Sequence, residues 1–223
     1  AIGFSFVAHP QSAPANLLRV EEEWRVDDLA VRIPETASPV AALDLSVVLL
    51  EDTDWRRGVV EGVVTAAGRI LAQCGVRLRR VSFQRITAPQ RYRMLYNPAS
   101  RELAQALRAK RPTVFFVQGT LNQPEYDAEA FGRANSKTRP ELTDSVWITT
   151  KVTDAANALA HELAHVLMDD GAHSTEPNNL LRAEPSPTST RLNASQCARM
   201  IATGVANDLL IELPRPNWRR PEQ

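Results

Sequence analysis

Apolar positions along this chain change their period several times, and each change marks a new element. Residues 44 to 51, Asp-Leu-Ser-Val-Val-Leu-Leu-Glu, have the near-continuous hydrophobicity of a short strand buried on both faces. The spacing then lengthens. Val59, Val63, Val64, Ile70 and Leu71 recur at helical intervals, which predicts a helix capped from Asp52 to Asp54 and ended by Gly75. Val76 to Ile86 reads as the next strand, Ser100 to Ala109 as a second helix, and Thr113-Val-Phe-Phe-Val117, between Pro112 and Gly119, as another strand. An irregular segment from Gln118 to Glu129 separates these from a candidate edge strand, Phe131-Gly-Arg-Ala134, and from a last strand, Ser145-Val-Trp-Ile-Thr-Thr150. Strands alternating with helices imply right-handed crossovers, a largely parallel sheet covered by helices, and the α/β class.

A further helix should begin near 155, capped by Thr153 or Asp154, because the stretch that follows is rich in alanine and lacks proline. Leu159, Leu163, Val166 and Leu167 predict one buried side, and Gly171 a left-handed stop just past Asp170. Residues 174 to 192 have a loop composition with Pro177, Pro185 and Pro187. Asn193-Ala-Ser-Gln196 then reads as a capping box opening a last helix to about 210, closed by Pro214 and Pro216. Residues 1–43 hold four prolines and no long periodic element, so they read as an extension on the core. The expected organisation is an N-terminal extension, a catalytic domain over 44–213 divided into 44–171 and 172–213, and a tail over 214–223.

Length and composition fit one sizeable core: 223 residues, 43% of them hydrophobic. The 26 basic residues balance the 26 acidic ones without a long basic block, which argues against electrostatic capture of nucleic acid or of an anionic membrane. No apolar stretch approaches a membrane span. The chain opens Ala-Ile-Gly without a methionine, which suits a processed product and an expected secreted or periplasmic location. Cys74 and Cys197 are open to two readings, a disulfide in an exported protein or two buried thiols.

The chemistry concentrates in one place. Residues 161 to 173 read His-Glu-Leu-Ala-His-Val-Leu-Met-Asp-Asp-Gly-Ala-His, which contains three of the chain's four histidines. In a helix, side chains at i and i+4 share a face, so His161 and His165 can hold one cation with Glu162 beside it. A turn at Gly171 can bring His173 back as a third ligand, leaving zinc the open position that a catalytic site needs. Asp169 or Asp170 is the alternative third ligand, and Glu176 or Glu184 from another helix a weaker one, since Pro185 and Pro187 oppose a helix there. His9 reads as a surface residue.

With this order of elements and this motif, residues 44 to 212 resemble the metzincin clan of zinc metallopeptidases. The clan pattern HExxHxxGxxH is matched in its first half. Its Gly and third His positions are occupied here by Met168 and Gly171, and His173 lies eight residues after His165, as a two-residue insertion would produce. The clan's methionine-bearing turn falls in Asn178-Asn-Leu-Leu181, where Leu181 takes the methionine's place as an apolar support below the metal, and no tyrosine follows it. The resemblance implies a mostly parallel twisted sheet with one antiparallel edge strand, an active-site helix and a small C-terminal lobe. It also implies an extended peptide held along Phe131, Gly132, Arg133 and Ala134 by strand addition.

The expected activity is that of a monomeric zinc-dependent endopeptidase acting on peptide or protein. Three neutral imidazoles leave the zinc charge uncompensated, so a bound water reaches a pKa near 7 instead of about 15.7, and Glu162 serves as general base and then general acid. Two other classes fit the same residues: a zinc amidase acting on a non-protein or cell-wall peptide amide, and a binding module with a degenerate site. Glu162 speaks against the last, because losing that base is the simplest way to lose activity.

Overall fold

The computed structural model describes residues 18–28, 39–121, 130–133, 142–184 and 186–214. Its centre is β2 (Ala41–Leu50), whose residues are buried on both faces except for a half-exposed Ser46. Parallel neighbours flank it: β3 (Val76–Thr87) on one side and β5 (Thr113–Val117) on the other, with β8 (Ser145–Thr149) beyond β5. The sheet ends in β1 (Arg19–Asp27) beside β3 and in β7 (Ala130–Arg133) beside β8, both antiparallel, giving the order β1-β3-β2-β5-β8-β7. A short β9 (Leu210–Glu212) adds antiparallel to Ala41–Leu43, and a two-stranded ribbon joins β4 (Met94–Leu95) to β6 (Gly119–Thr120).

The predicted α/β class and its mostly parallel sheet are observed. The strand alternation of β2 decides which helix covers which face. Leu43, Leu45, Val47 and Leu49 pack with Val60, Val64 and Leu71 of α1 (Arg57–Leu71), and with α3 (Ala155–Met168). Val48 and Leu50 point the other way, to Leu103 of α2 (Asn97–Leu107) and to Phe115 and Trp147, whose rings stack at 4.0 Å. α4 (Ala194–Ala206) lies beyond α3, opened by the predicted capping box between Asn193 and Gln196. A disulfide between Cys74, just after α1, and Cys197 on α4 ties this last helix to the sheet. That resolves the cysteine question in favour of the bond. No helix among the described residues is long and apolar enough to cross a membrane.

Several expectations need correction. The stretch read as an extension without a long element contains β1. Its alternation is hidden because the inward positions are Glu22, Trp24 and Val26, and a bulge between Val20 and Glu22 breaks the period. Trp24 stacks on Phe83 at 4.9 Å, while Glu22 pairs with Arg57 at 2.5 Å. The helix after β2 starts at Arg57 without a side-chain cap, because Asp52 is bound to Arg93 and Asp54 accepts from Gln118 (3.0 Å). Gly75 does adopt the expected left-handed conformation, with φ 76°. The last helix stops at Ala206, and the chain turns at Asp208 (φ 58°) to form β9. His9 and Ala134 lie outside the described residues, as does the tail from 215.

Candidate metal centre

α3 begins where the Asp154 carboxylate accepts the Asn157 N–H at 3.0 Å, one of the two predicted caps. Its apolar residues spread around the whole circumference: Leu159, Ala160, Leu163, Ala164, Val166, Leu167 and Met168 are all buried. A helix that is apolar all round belongs inside the protein. The histidines therefore lie inside and not on an outer face; His161 and His165 are each only 7% exposed. The segment after the helix folds back over them. Ser174 bridges to Arg182, and the Leu180 N–H is held by the Arg191 carbonyl at 2.6 Å.

The reversal also comes earlier than predicted. Asp169, not Gly171, takes the left-handed conformation (φ 48°), with its N–H turned back onto the His165 and Val166 carbonyls. A short polar side chain tolerates that conformation through local hydrogen bonding. The consequence is positional: the Asp170 carbonyl comes to lie against the His165 ring.

Each helical histidine donates from Nδ1 to a main-chain carbonyl, His161 to Leu180 (2.7 Å) and His165 to Asp170 (2.6 Å). The tautomers are assigned from those acceptors. Burial first, and then the neighbouring His165, push the His161 pKa down to about 4; burial also lowers that of His165. Both rings are thus neutral near pH 7, and a neutral imidazole has only one N–H. Since Nδ1 uses it, the two Nε2 atoms are bare acceptors, and they face each other at 3.0 Å. Two lone pairs directed at each other in a buried site repel, and a cation between them removes the repulsion. A tetrahedral ion with bonds of about 2.0–2.1 Å to nitrogen sets its ligands roughly 3.3 Å apart, close to this separation.

His173 completes the group. It is exposed, its ring centroid lies 5.5 Å from His161 and 5.1 Å from His165, and one ligand atom from each of the three histidines lies within 4.8 Å of the others. The donor set of three histidines fits a divalent metal ion. Among the described residues, none of the rival carboxylates belongs to this cluster. Asp169 is an exposed cap residue, and Asp170 turns its carboxylate to Arg199 and to the Ala172 N–H (2.9 Å). Glu176 accepts from Asn179 and Asn193, and Glu184 lies exposed in a bend, not on a helix.

Glu162 sits half-buried on α3 between the two histidines in sequence, and Leu181 is buried (2% exposed) in the main core next to Leu180. Phe131, Gly132 and Arg133 belong to the edge strand β7, antiparallel to β8 as expected. Sequence reasoning missed the two orienting carbonyls. Main-chain groups leave no residue signature; the position of the turn at 178–181 pointed only towards the Leu180 carbonyl, and nothing pointed towards that of Asp170.

No protein-family model matches this chain, and a search of curated proteins found no match. Among solved structures the chain is similar to the crystal structure of metalloproteinase-II from Bacteroides fragilis, with a TM-score of 0.50 and 19% identity over 76% of this chain. It spans 55% of that protein's length. At such identity the likeness is one of fold. This chain therefore shares its mixed α/β fold with a bacterial metalloproteinase and carries within it a cluster of two buried histidines and one exposed histidine that could hold a metal ion.

Proposed function

We propose that this chain is a secreted zinc-dependent endopeptidase of the metzincin type, with His161, His165 and His173 as metal ligands and Glu162 as general base and acid. The observation that carries this reading is the pair of bare Nε2 atoms 3.0 Å apart, each oriented by a carbonyl at its own Nδ1. A metal-ligating histidine ordinarily spends its second nitrogen in this way. When bound, zinc supplies Lewis acidity, lowering the pKa of a coordinated water towards about 7 and stabilising negative charge on the substrate carbonyl oxygen.

The remaining chemistry belongs to the chain. Glu162 takes the proton from the attacking water at its carboxylate and returns it to the leaving amine nitrogen. β7 closes the described sheet on its side, and its free edge, with Phe131, Gly132 and Arg133, suits an extended peptide added as a further strand, to which Ala134 would contribute next in sequence. Leu181 gives the site an apolar floor. The Cys74–Cys197 disulfide supports an extracytoplasmic location, because such bonds persist in oxidising compartments.

The test combines metal analysis with cleavage of an unbiased peptide mixture, with and without a chelator. Glu162→Gln preserves shape but cannot accept the proton, so zinc content should stay near one per chain while hydrolysis falls roughly 100- to 10,000-fold. Turnover like that of the wild type in this variant would sink the mechanism. Chelator-insensitive cleavage would remove the metal from it.

A further inference from the structure

The segments that carry the two carbonyls orienting His161 and His165 are tied to side chains of one helix, at Asn179 beside Leu180 and at the carboxylate of Asp170. Leu180 belongs to a turn whose neighbour, Asn179, is 2% exposed. The Asn179 amide accepts from the Leu181 N–H (3.0 Å) and forms a reciprocal pair with the amide of Gln196 on α4. Asn179 Nδ2 donates to Gln196 Oε1 at 2.9 Å, and Gln196 Nε2 donates to Asn179 Oδ1 at 3.2 Å. Gln196 Oε1 also takes the Asn193 N–H at 2.8 Å, which anchors the amide to the helix start. One turn further along α4, Arg199 binds the carboxylate of Asp170, whose own carbonyl accepts His165 Nδ1. Between them lies Cys197, bonded to Cys74.

We infer that Gln196 and Arg199 are positioning residues for the metal site: Gln196 acts through Asn179 and Leu180 on His161, and Arg199 acts through Asp170 on His165. The inference rests on the reading that these histidines hold a metal. A residue three places from another on a helix shares its face, so one side of α4 serves both paths. The disulfide at Cys197 ties α4 itself to the turn that follows α1. Each path sets the tautomer of one ligand. With the carbonyl acceptor displaced, the imidazole proton is no longer confined to Nδ1, and a ring protonated at Nε2 has no lone pair there for a metal.

The experiment measures zinc dissociation constants by competition with a chromophoric chelator, and the visible spectrum of the cobalt-substituted protein. Wild type, Gln196→Ala, Arg199→Ala, Arg199→Lys and His161→Ala are compared, with melting temperatures of the metal-free forms alongside. Loss of an outer-shell partner typically weakens metal binding roughly 10- to 100-fold, the effect expected for both alanine variants together with a shifted cobalt spectrum. Arg199→Lys keeps a cation for Asp170 and should recover much of the affinity. Arg199 is half exposed, so its variants should fold even if Gln196→Ala does not. A zinc affinity and cobalt spectrum unchanged in Arg199→Ala, while His161→Ala abolishes binding, would overturn the inference and leave the metal site standing. Zinc binding unaffected by His161→Ala would overturn the metal-site reading and the inference with it.

Discussion

Replacing both Cys74 and Cys197 with alanine tests how much of the fold's stability depends on the single covalent link between the sheet and α4. The bond joins residues 123 apart in sequence. In the chain-entropy account, closing a loop of that size removes unfolded-state freedom worth about 5 kcal/mol, and measured values for native bonds run from about 2 to 5 kcal/mol. Cys74 is 8% exposed and Cys197 half-buried, so the lost sulfur contacts add to the cost without changing its order. Against the 5–15 kcal/mol typical of a domain, an expected loss of about 3–5 kcal/mol is large. At about 2–4 °C per kcal/mol for a chain of this size, the melting temperature should fall by about 6–20 °C. The assay is equilibrium denaturation of both proteins, oxidation of the wild type having been confirmed by mass. If the two unfold within 1 kcal/mol of each other, the reasoning fails: either the unfolded chain is already compact there, or the bond closes nothing that the core does not hold anyway.

Other outcomes follow from the site and the core. His173→Ala should sharply lower zinc content, and unchanged content would take His173 out of the ligand set. Leu181→Met, nearly volume-conserving, should cost under about 1.5 kcal/mol and keep zinc and activity, whereas Leu181→Asp buries a carboxylate at several kcal/mol and should misfold or inactivate the protein; melting temperature and zinc content distinguish them. Asp44, 8% exposed, accepts Arg79 in a fork at 2.9 and 2.7 Å, and the Arg79 hydrogen bonds, outweighing burial, hold its carboxyl below the usual range. A depressed carboxyl stabilises the fold above its unfolded pKa of about 3.9, and that contribution is lost as pH falls through the folded value. Asp44→Asn should therefore be less stable than wild type at neutral pH, with the gap closing below about pH 4 in acid-denaturation curves; a gap that persists there would rule out the ionised pair as its source.

What the sequence revealed, it revealed through side chains acting over short distances. The pair at 161 and 165, the box from Asn193 to Gln196 and the apolar run at 113–117 are local patterns, and the structure has each of them. The elements that escaped depend on distant partners. β1 is recognisable only once Phe83 lies under Trp24, and β9 only once Ala41–Leu43 offers a ladder. The aspartates expected to cap the first helix are drawn away to Arg93 and Gln118, and the expected glycine stop gives way to Asp169 because the chain must reverse at that point to bring its carbonyl groups to the rings. Burial of the two histidines was illegible for the same reason, since their cover comes from residues 174–182 and no helical period encodes it.

The pairing of β9 with the start of β2 has a consequence for the order in which this protein comes into being. Ala41, Ala42 and Leu43 are made well before their antiparallel partners, Glu212, Ile211 and Leu210. Until the chain has been made through residue 212, the first turn of the ladder on the central strand stays unmatched, and the buried positions there lack their last cover. Contacts this remote in sequence form late and slowly. The ladder at the start of β2 can thus be completed only after all of the chain between residues 43 and 210 has been made, so this corner of the sheet is matched later than the β2–β3 pairing beside it.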